Sequence, residues 1–482
     1  MSFRKVAVLP EIVEEDRGNL DDAEYYSEEY QPPQNSPRDE QEYADGGEEG
    51  YEVGQEYTGQ DGQENGDVFP NKKDDPTPPQ PDTIFVSLAS YRDPECNNTL
   101  YDLFAKAKFP ERIFVGVCQQ NAPDDADCMS DRLGHFAQNI RILRLSHFDA
   151  QGPMYARSLI EQRLYRDELF YMQIDSHMLF VKDWDDLCIQ QLALCPSDKP
   201  ILTTYPNDFD RITRKHVVLP NGSKHPLGSI PPTFIRFREF HERLKFTEQE
   251  KQNFVGIPSV PFPSLFWAAG FSFSLGELIK QVPYDYQCPF LFLGEEMGLS
   301  IRYYTHGWDF FAPGVNIVYH LLKRTYRKTF WEQVYRKTCV VDDETRLVRK
   351  EMEEFAVRRT TDLIYGRLPS DDVFGLGRER TVKDWERYTG VDIRSQTASR
   401  RSYLGLSPSA TSEEKRSKHG VQQSDVRSSQ RPKPSSNPPR STSLTFNLPV
   451  LTSNRTLSTV RINPPRVPRP PPVYFSTKGL YR

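Results

Sequence analysis

Short apolar runs that favour β-strands alternate with helical segments along the middle of this chain, and this alternation restricts the possible folds most. Strands are predicted at 83–89, 112–117, 139–145 and 169–174, and helices at 98–108 and 154–165. Asn97 or Asn98 is the expected cap of the first helix. The pattern predicts an α/β fold with a mostly parallel sheet flanked by helices. Ligands of such sheets bind beyond the carboxyl ends of the strands.

The two ends of the chain differ from this middle in charge and in proline content. Residues 1–80 carry a net charge of −16 and residues 393–482 a net charge of +13, whereas the whole chain carries −7. Neither end has sustained apolar periodicity, so neither buries enough apolar surface to offset the entropy of ordering. We therefore predict an acidic disordered tail (1–80), one catalytic domain (82–392) and a basic, Pro- and Ser-rich disordered tail (393–482).

The N-terminus and the cysteines bear on the compartment. The apolar run Val6-Ala7-Val8-Leu9 is shorter than a secretory signal requires, and no segment has the ~18 apolar residues of a membrane span. Seven scattered cysteines without CxxC spacing fit a reducing compartment better than a disulfide framework. These features predict a cytoplasmic protein without a membrane span, and the Asn221-Gly222-Ser223 sequon is then expected to be an unmodified turn.

An acid and a histidine follow the fourth predicted strand. Asp175 and His177 are two residues apart, so in an extended backbone their side chains point the same way. Together they suit a divalent cation that stabilises a diphosphate leaving group. The alternative is a strand-end turn with an Asp cap and a surface histidine. Downstream, His306 or His320 is available to complete a metal site, although a lone histidine is more often structural.

Several longer motifs resemble one known family. They are ASYRD (89–93), GPMYARSLIEQRL (152–164), YMQIDSHMLF (171–180), FWAAGFSFS (266–274), LGEEMGLSIRYYTHGWDFFAP (293–313), VYH (318–320), KTFWEQ (328–333) and GLGRERTVKDWERYTGVD (375–392). In this order they resemble the cytoplasmic glycosyltransferases that add N-acetylglucosamine to hydroxyproline of the adaptor subunit of SCF-type ubiquitin ligases. More distantly the chain is similar to the polypeptide N-acetylgalactosaminyltransferases. The resemblance implies a GT-A fold and transfer that generally retains the anomeric configuration.

The resemblance also implies roles for individual residues. Asp175, His177 and His320 would hold Mn²⁺ or another divalent cation. Asp175 would also lie near the nucleotide-sugar. The loop after the first strand would lie near the uridine and the diphosphate, and its residues are Ala89, Ser90, Tyr91, Arg92 and Asp93. Arg157 would reach the nucleotide-sugar, and the alternative for Arg157 is an ion pair with Glu161 one helical turn away.

The acceptor side of the implied site contains a tryptophan and two adjacent carboxylates. Trp267 and the small residues after it, through Gly270, would line the sugar and the acceptor, although a large aromatic is more often a core residue. Glu295 or Glu296 would place a carboxylate near the sugar hydroxyls, and the sequence does not distinguish between them. No residue is expected to act as a covalent nucleophile.

Taken together, the sequence predicts a metal-dependent transferase that moves a sugar, N-acetylglucosamine by the resemblance, from a UDP donor to a protein hydroxyl. The resemblance names a ubiquitin-ligase adaptor as the acceptor, and no nucleic-acid partner is expected. The alternatives are a catalytically silent nucleotide-sugar-binding or scaffold protein, and a metal-dependent hydrolase. Segment 207–262 is expected to be an insertion over the active-site face. The proline-rich run 462–472 suits SH3- or WW-type domains or remains a solvated tail.

Overall fold

The computed structural model describes residues 82–335 and 343–408. The two tails that the sequence predicts to be disordered lie outside these residues, except for 393–408, and so does the proline-rich run. All described residues belong to one compact unit.

An eight-stranded sheet forms the centre of the fold. Its strands are β1 (Ile84–Tyr91), β2 (Ile113–Asn121), β3 (Ile140–Ser146), β4 (Phe170–Asp175), β6 (Pro200–Thr203), β12 (Phe262–Pro263), β13 (Phe271–Leu275) and β14 (Asp309–Ala312). They are ordered β12-β14-β6-β13-β4-β1-β2-β3. The four strands from β4 to β3 pair in parallel, as do β14 and β6, whereas β13 is antiparallel to both of its neighbours. The predicted α/β class with a mostly parallel sheet is confirmed.

Helices cover both faces of this sheet. They are α1 (Glu95–Lys106), α2 (Pro153–Arg163), α3 (Trp184–Ala193), α4 (Glu277–Gln281), α5 (Glu295–Thr305), α6 (Phe330–Tyr335), α7 (Asp343–Ile364), α8 (Val382–Thr389) and α9 (Arg400–Tyr403). One apolar core lies between the sheet and α1 and α3, and a second contains the buried faces of α5 and α8.

The cap predicted for the first helix is wrong. Helix α1 begins at Glu95, and the backbone N–H of Glu95 donates to the carboxylate of Asp93 (3.0 Å). The Asn97 amide instead donates to the carbonyl of Cys128 (2.9 Å). The Asp93 carboxylate therefore serves the first turn, where a carboxylate also interacts favourably with the helix dipole.

The insertion predicted at 207–262 consists largely of strands. The second sheet contains β5 (Met178–Phe180), β7 (Asp208–Phe209), β8 (His216–Val218), β9 (Lys224–Pro226) and β15 (Val318–His320), in the order β5-β15-β7-β8-β9. A separate hairpin joins β10 (Thr233–Phe240) to β11 (Thr247–Asn253). Residues 221–223 form a turn, as expected, in which the Ser223 N–H donates to the Asn221 side chain (2.9 Å).

The C-terminal boundary predicted at residue 392 falls inside a packed segment. Strands β16 (Val391–Asp392) and β17 (Thr397–Ala398) form a hairpin that leads into α9. The ring of Tyr403 packs edge-on against Phe237 (5.1 Å between centroids). A capping box begins α8, because Thr381 and Asp384 exchange both of its hydrogen bonds.

A disulfide joins Cys96 to Cys128, which corrects the expectation that the cysteines form no such bond. The two residues are 32 apart in sequence, and their approach depends on the packing of α1 against the segment after β2, which spacing alone does not reveal. The other described cysteines, at 118, 188, 195 and 288, are free and buried. Within the described residues, no helix has the length and apolar character needed to cross a membrane.

Candidate functional site

Three potential metal ligands meet where the two sheets join. Asp175 ends β4, and His177 lies in the short turn before β5. Strand β15 pairs antiparallel with β5, with His320 opposite Met178, which brings the third side chain to the same point. The Nε2 atom of His320 is 2.9 Å from Nε2 of His177 and 3.3 Å from Oδ2 of Asp175. All three ligand atoms lie within 4.8 Å of one another, a spacing that one ion can span.

The choice left open between two histidines is resolved by this geometry. His320 is the residue that reaches Asp175 and His177, although it arrives from the second sheet rather than from the edge of the central one. His306 follows the last turn of α5, and its Nδ1 lies 2.8 Å from the carbonyl oxygen of Arg302. His306 is therefore engaged at a helix end and is not part of the cluster.

Asp93 contacts the ring nitrogen of His177 that points away from the other two potential ligands. Its Oδ2 is 2.8 Å from His177 Nδ1 and 2.8 Å from the Ser176 hydroxyl, and it accepts from the Arg327 guanidinium at 2.9 Å. The other oxygen, Oδ1, accepts from the Tyr326 hydroxyl at 3.1 Å as well as from the start of α1. An N–H on Nδ1 leaves Nε2 of His177 with its lone pair directed at the cluster.

The protonation of these groups suits metal binding. Burial lowers the pKa of His177 to about 4, despite the opposing influence of Asp93, so its imidazole is neutral at pH 7. Burial would raise the pKa of Asp93, but the hydrogen bond and charge of His177 hold it well below its usual range. The pKa of Asp175 is likewise held low, because His320 and Arg157 outweigh its burial. A neutral imidazole and an ionised carboxylate are the forms that ligate cations.

Asp93 does not occupy the place that the sequence predicts for it. The prediction puts it beside the nucleotide, whereas its side chain is buried and both of its oxygens are engaged by protein donors. Asp93 instead contacts the imidazole of His177. The reason is that the chain turns sharply after β1, with a positive φ of 50° at Arg92, so that the next residue points inward.

Arg157 connects Asp175, one of the three potential metal ligands, to α5, the helix that begins with Glu295 and Glu296. One guanidinium nitrogen donates to Glu295 Oε1 (2.5 Å) and another to Asp175 Oδ1 (3.1 Å). The alternative pairing with Glu161 is not observed. Burial raises the pKa of Glu161 to about 8, so this carboxyl is neutral at pH 7. It accepts instead from the backbone N–H of Tyr284 (2.8 Å).

Glu295 and Glu296 begin α5 and make different contacts. Glu295 accepts from the Tyr284 hydroxyl (2.9 Å) in addition to Arg157. Glu296 accepts from the backbone N–H of Ala269 (2.8 Å) and from the Tyr205 hydroxyl. Burial raises the pKa of Glu296 to about 7, even though these two donors favour its ionised form. Glu295 thus supports the Asp175 side of the site through Arg157, and Glu296 fixes the backbone at Ala269.

The structure does not bring Trp267 to the site. Its indole is only 1% exposed, packs edge-on against Tyr303, and donates through Nε1 to Ser272 (3.0 Å). Trp267 is therefore a core residue, which corrects the prediction that it lines the sugar and the acceptor. The backbone after it does lie at the site, because a Cβ atom on Gly270 would sit 3.5 Å from Asp175 Oδ2. A small residue there permits the close approach.

The predicted nucleotide loop lies directly beside the metal cluster. In the parallel pairing of β1 with β4, Ala89 is opposite Asp175. Ser90 is buried, and its hydroxyl has no hydrogen-bond partner among the described residues. The Tyr91 hydroxyl donates to Gln333. Arg92 forms two bonds with Asp125 (2.6 and 3.0 Å), so its guanidinium is already paired with a protein carboxylate.

Residues that follow His320 also reach the site, although no role was predicted for them from the sequence. Residues 323–328 have the sequence KRTYRK, and two of them, Tyr326 and Arg327, contact Asp93. Farther along, Gln333 reaches the end of β1. The signal was present in the sequence, because four cations in six residues directly after a predicted metal ligand are suited to a site that binds anions.

Comparison with known proteins gives one family match. The model of the family described as Glycosyltransferase (GlcNAc) matches residues 83–135 and 132–395, more than half of the chain. A search of curated proteins finds no match.

Solved structures give only weak likenesses. GalNAc-T7 with UDP, GalNAc and Mn²⁺ is 13% identical over 63% of this chain and 54% of its own, with a TM-score of 0.39. TarS of S. aureus with UDP-GlcNAc is 13% identical over 61% of this chain and 78% of its own, with a TM-score of 0.32. The mannosyltransferase PcManGT from Pyrobaculum calidifontis with GDP-Man and Mn²⁺ is 10% identical over 59% and 70%, with a TM-score of 0.31. This chain spans about half the length of the GalNAc-T7 chain.

Proposed function

The chain belongs to the Glycosyltransferase (GlcNAc) family, and on that premise we propose that it transfers N-acetylglucosamine from a UDP donor to a hydroxyl of a protein acceptor, with the help of a divalent cation. The observation that carries the proposal is the cluster of Asp175, His177 and His320 at the carboxyl end of β4. Parallel sheets bind their ligands at this edge.

The donor set of the cluster suits Mn²⁺. One carboxylate and two imidazoles form a mixed oxygen and nitrogen set, which Mn²⁺ accepts more readily than Mg²⁺ does. When bound there, the cation supplies positive charge that stabilises a departing nucleotide diphosphate. The chain's own part is to hold the ligands, and Asp93 and Arg157 do so by fixing His177 and Asp175.

The residues around the cluster are proposed to position the donor rather than to react with it. The end of β1 and the residue after it, from Ala89 to Arg92, are the proposed nucleotide side, since Ala89 lies opposite Asp175. Glu295 and Glu296 act as positioning residues, because each is held by two protein donors. Rate enhancement then comes from orientation and electrostatic stabilisation, and we propose transfer with retention, in which the acceptor hydroxyl attacks from the face that the diphosphate leaves.

The acceptor and the compartment are proposals that rest on the family resemblance. We propose a hydroxyproline of a ubiquitin-ligase adaptor as the acceptor and the cytoplasm as the location. The Cys96–Cys128 disulfide counts against a reducing compartment. Both cysteines are buried, so labelling of free thiols in protein that is denatured as it is extracted from cells would decide the point. Alkylation of Cys96 supports the cytoplasm, and its protection contradicts it.

Donor turnover is the experiment that tests the proposed activity. The full chain is incubated with UDP-GlcNAc, UDP-GalNAc or GDP-mannose in the presence of Mn²⁺, and nucleotide release is measured alongside donor binding by calorimetry. We expect UDP-GlcNAc to bind and to be turned over. Binding without release of UDP would identify a silent nucleotide-sugar-binding protein instead. Faster turnover of GDP-mannose would overturn the choice of donor.

A further inference from the structure

We propose that residues 210–215 and 323–328, here called the basic rim, form a docking surface for an acidic segment of the protein acceptor. The first part of the rim is the turn between β7 and β8, and the second follows His320. This inference rests on the proposed function, because it assigns the chemistry of the acceptor that the same site would use.

The basic rim lies next to the metal cluster. Strand β7 pairs in parallel with β15, with Asp208 opposite His320, so the turn starts two residues beyond the position opposite a metal ligand. In the second part of the rim, Arg327 donates to Asp93 (2.9 Å), which in turn contacts His177. A chain held on the rim would therefore be close to the place of transfer.

The two parts of the rim are joined and held in place. Arg211 and Arg214 both pair with the buried carboxylate of Glu95, at 2.8 and 2.9 Å. The Arg211 guanidinium also lies over the ring of Tyr326, 4.2 Å from its centroid. Because Glu95 belongs to α1 and Tyr326 to the segment after β15, these contacts fix the turn to the body of the domain. A surface fixed in this way loses little conformational entropy on binding.

The charge of the rim exceeds what its own acids neutralise. Seven of its twelve residues are Arg or Lys, and Asp210 is its one acid. Asp210 is already paired with Lys224 (2.7 Å). Lys215, Lys323 and Lys328 are exposed and pair with no acidic side chain of the described residues. Such an excess of one sign attracts a partner of the opposite sign.

The UDP-sugar donor does not neutralise the excess positive charge of the basic rim. A UDP-sugar carries about two negative charges on its diphosphate, and a divalent cation at the cluster balances them. With the donor and the ion both bound, the rim remains positive and faces the next reactant to arrive. That reactant is the acceptor, so the complementary charge belongs to the acceptor.

An exposed apolar side chain at the tip of the turn favours a protein partner over a nucleic acid. Ile212 is 89% exposed, more than any other large hydrophobic residue among the described ones. Its backbone N–H donates to Asp210 (3.2 Å), which holds the tip in shape. Binding of single-stranded nucleic acid uses aromatic rings that stack on bases, whereas the Tyr326 ring is covered by Arg211. An aliphatic tip among cations suits an acidic segment with an apolar residue.

Peptide binding tests the proposal without knowledge of the natural acceptor. Two fluorescent peptides share one central hydroxyproline and one leucine, and differ only in Glu or Lys at the flanking positions. Their affinities for the full chain are measured by anisotropy with Mn²⁺ and UDP present. We expect the Glu peptide to bind about tenfold more tightly at low salt, with the difference shrinking as salt is added. Ile212→Ser should weaken the Glu peptide about threefold, as expected for one partly buried aliphatic group.

A charge-matched pair of double variants isolates the rim. Lys215→Glu with Lys323→Glu should weaken the Glu peptide about tenfold, from several surface pairs of modest strength. The control is Arg163→Glu with Lys182→Glu, which changes the net charge equally. Both control residues are exposed, and Lys182 precedes Asp183, whose N–H bonds to Lys106 at the far end of α1. The control variant should bind the Glu peptide as the wild type does.

The outcomes separate this inference from the proposed function. Equal affinity for the two peptides, or an equal loss in both double variants, overturns the acidic docking surface. Tighter binding of a uridine oligonucleotide or of phosphatidylserine vesicles, with the same sensitivity to the rim variant, overturns it in favour of a nucleic acid or a membrane. A preference for the Glu peptide without any turnover of UDP-GlcNAc supports the rim and refutes the proposed transfer. Turnover of UDP-GlcNAc without a preference for the Glu peptide supports the proposed transfer and refutes the docking role of the rim.

Discussion

Replacing Asp93 with asparagine tests whether the contact between its carboxylate and the His177 imidazole governs metal binding. The carboxylate receives three protein donors at Oδ2 and two at Oδ1. Asparagine keeps one of these oxygens and turns the other into an N–H donor, so in either orientation donor faces donor. The negative charge that holds Nδ1–H of His177 in place is lost as well. Removal of such a partner of a metal ligand typically costs 10–100-fold in metal affinity, or about 1.4–2.8 kcal/mol.

We therefore expect Asp93→Asn to bind Mn²⁺ about 10–100-fold more weakly than the wild type, measured by calorimetry with UDP present. The control is Asp285→Asn, which removes a buried carboxylate paired with Arg359 (2.6 Å), away from the three ligands. Both variants lose a buried ion pair, so thermal melting should report a loss of stability in both. Unchanged Mn²⁺ affinity in Asp93→Asn, or an equal loss in Asp285→Asn, would refute the positioning role.

Three further expectations follow from the remaining contacts. Because burial raises the pKa of Glu296 from 4.5 to about 7, its ionisation costs folding stability as pH rises through this window, by at most about 3 kcal/mol. Glu296→Gln should therefore gain stability relative to the wild type between about pH 5 and pH 8 in denaturant titrations, and parallel pH curves would contradict this. Trp267→Phe, a core substitution, should lose about 1–3 kcal/mol of folding stability and keep the kcat of the wild type. A 100-fold fall in kcat would show instead that Trp267 takes part in catalysis. A fragment of residues 78–408 should melt near the full chain, whereas 78–395 should melt lower because α9 no longer covers Phe237; equal melting of the two would show that α9 is dispensable.

Local patterns in the sequence predicted four of the eight strands of the central sheet and two of the three residues of the cluster. The run 169–174 was apolar because β4 is buried on both faces, and Asp175 and His177 follow it with the spacing of two that an extended chain requires. The capping box at Thr381 is local in the same way, since its partners are three residues apart. Such features depend on neighbours in sequence and can be read without knowledge of the fold.

Features set by distant contacts were beyond the sequence patterns. The second sheet contains strands of two or three residues, whose pairing depends on the packing of segments more than 100 residues apart, as with β7 and β15. Trp267 was assigned to the acceptor side because an aromatic residue in a motif is equally compatible with a core and a pocket, and only burial distinguishes them. Asp93 was assigned to the nucleotide because the inward turn at Arg92 has no local signature.

Release of UDP from UDP-GlcNAc by the full chain, compared between two histidine variants and with a chelator, tests the central claim most directly. We expect His320→Ala to lose at least ~100-fold in rate, the scale of one lost transition-state stabiliser, and excess chelator to abolish release. His306→Ala should stay close to the wild type, since its imidazole lies at a helix end beside the Arg302 carbonyl. Full activity in excess chelator, or an active His320→Ala beside an inactive His306→Ala, would refute a metal site at Asp175, His177 and His320.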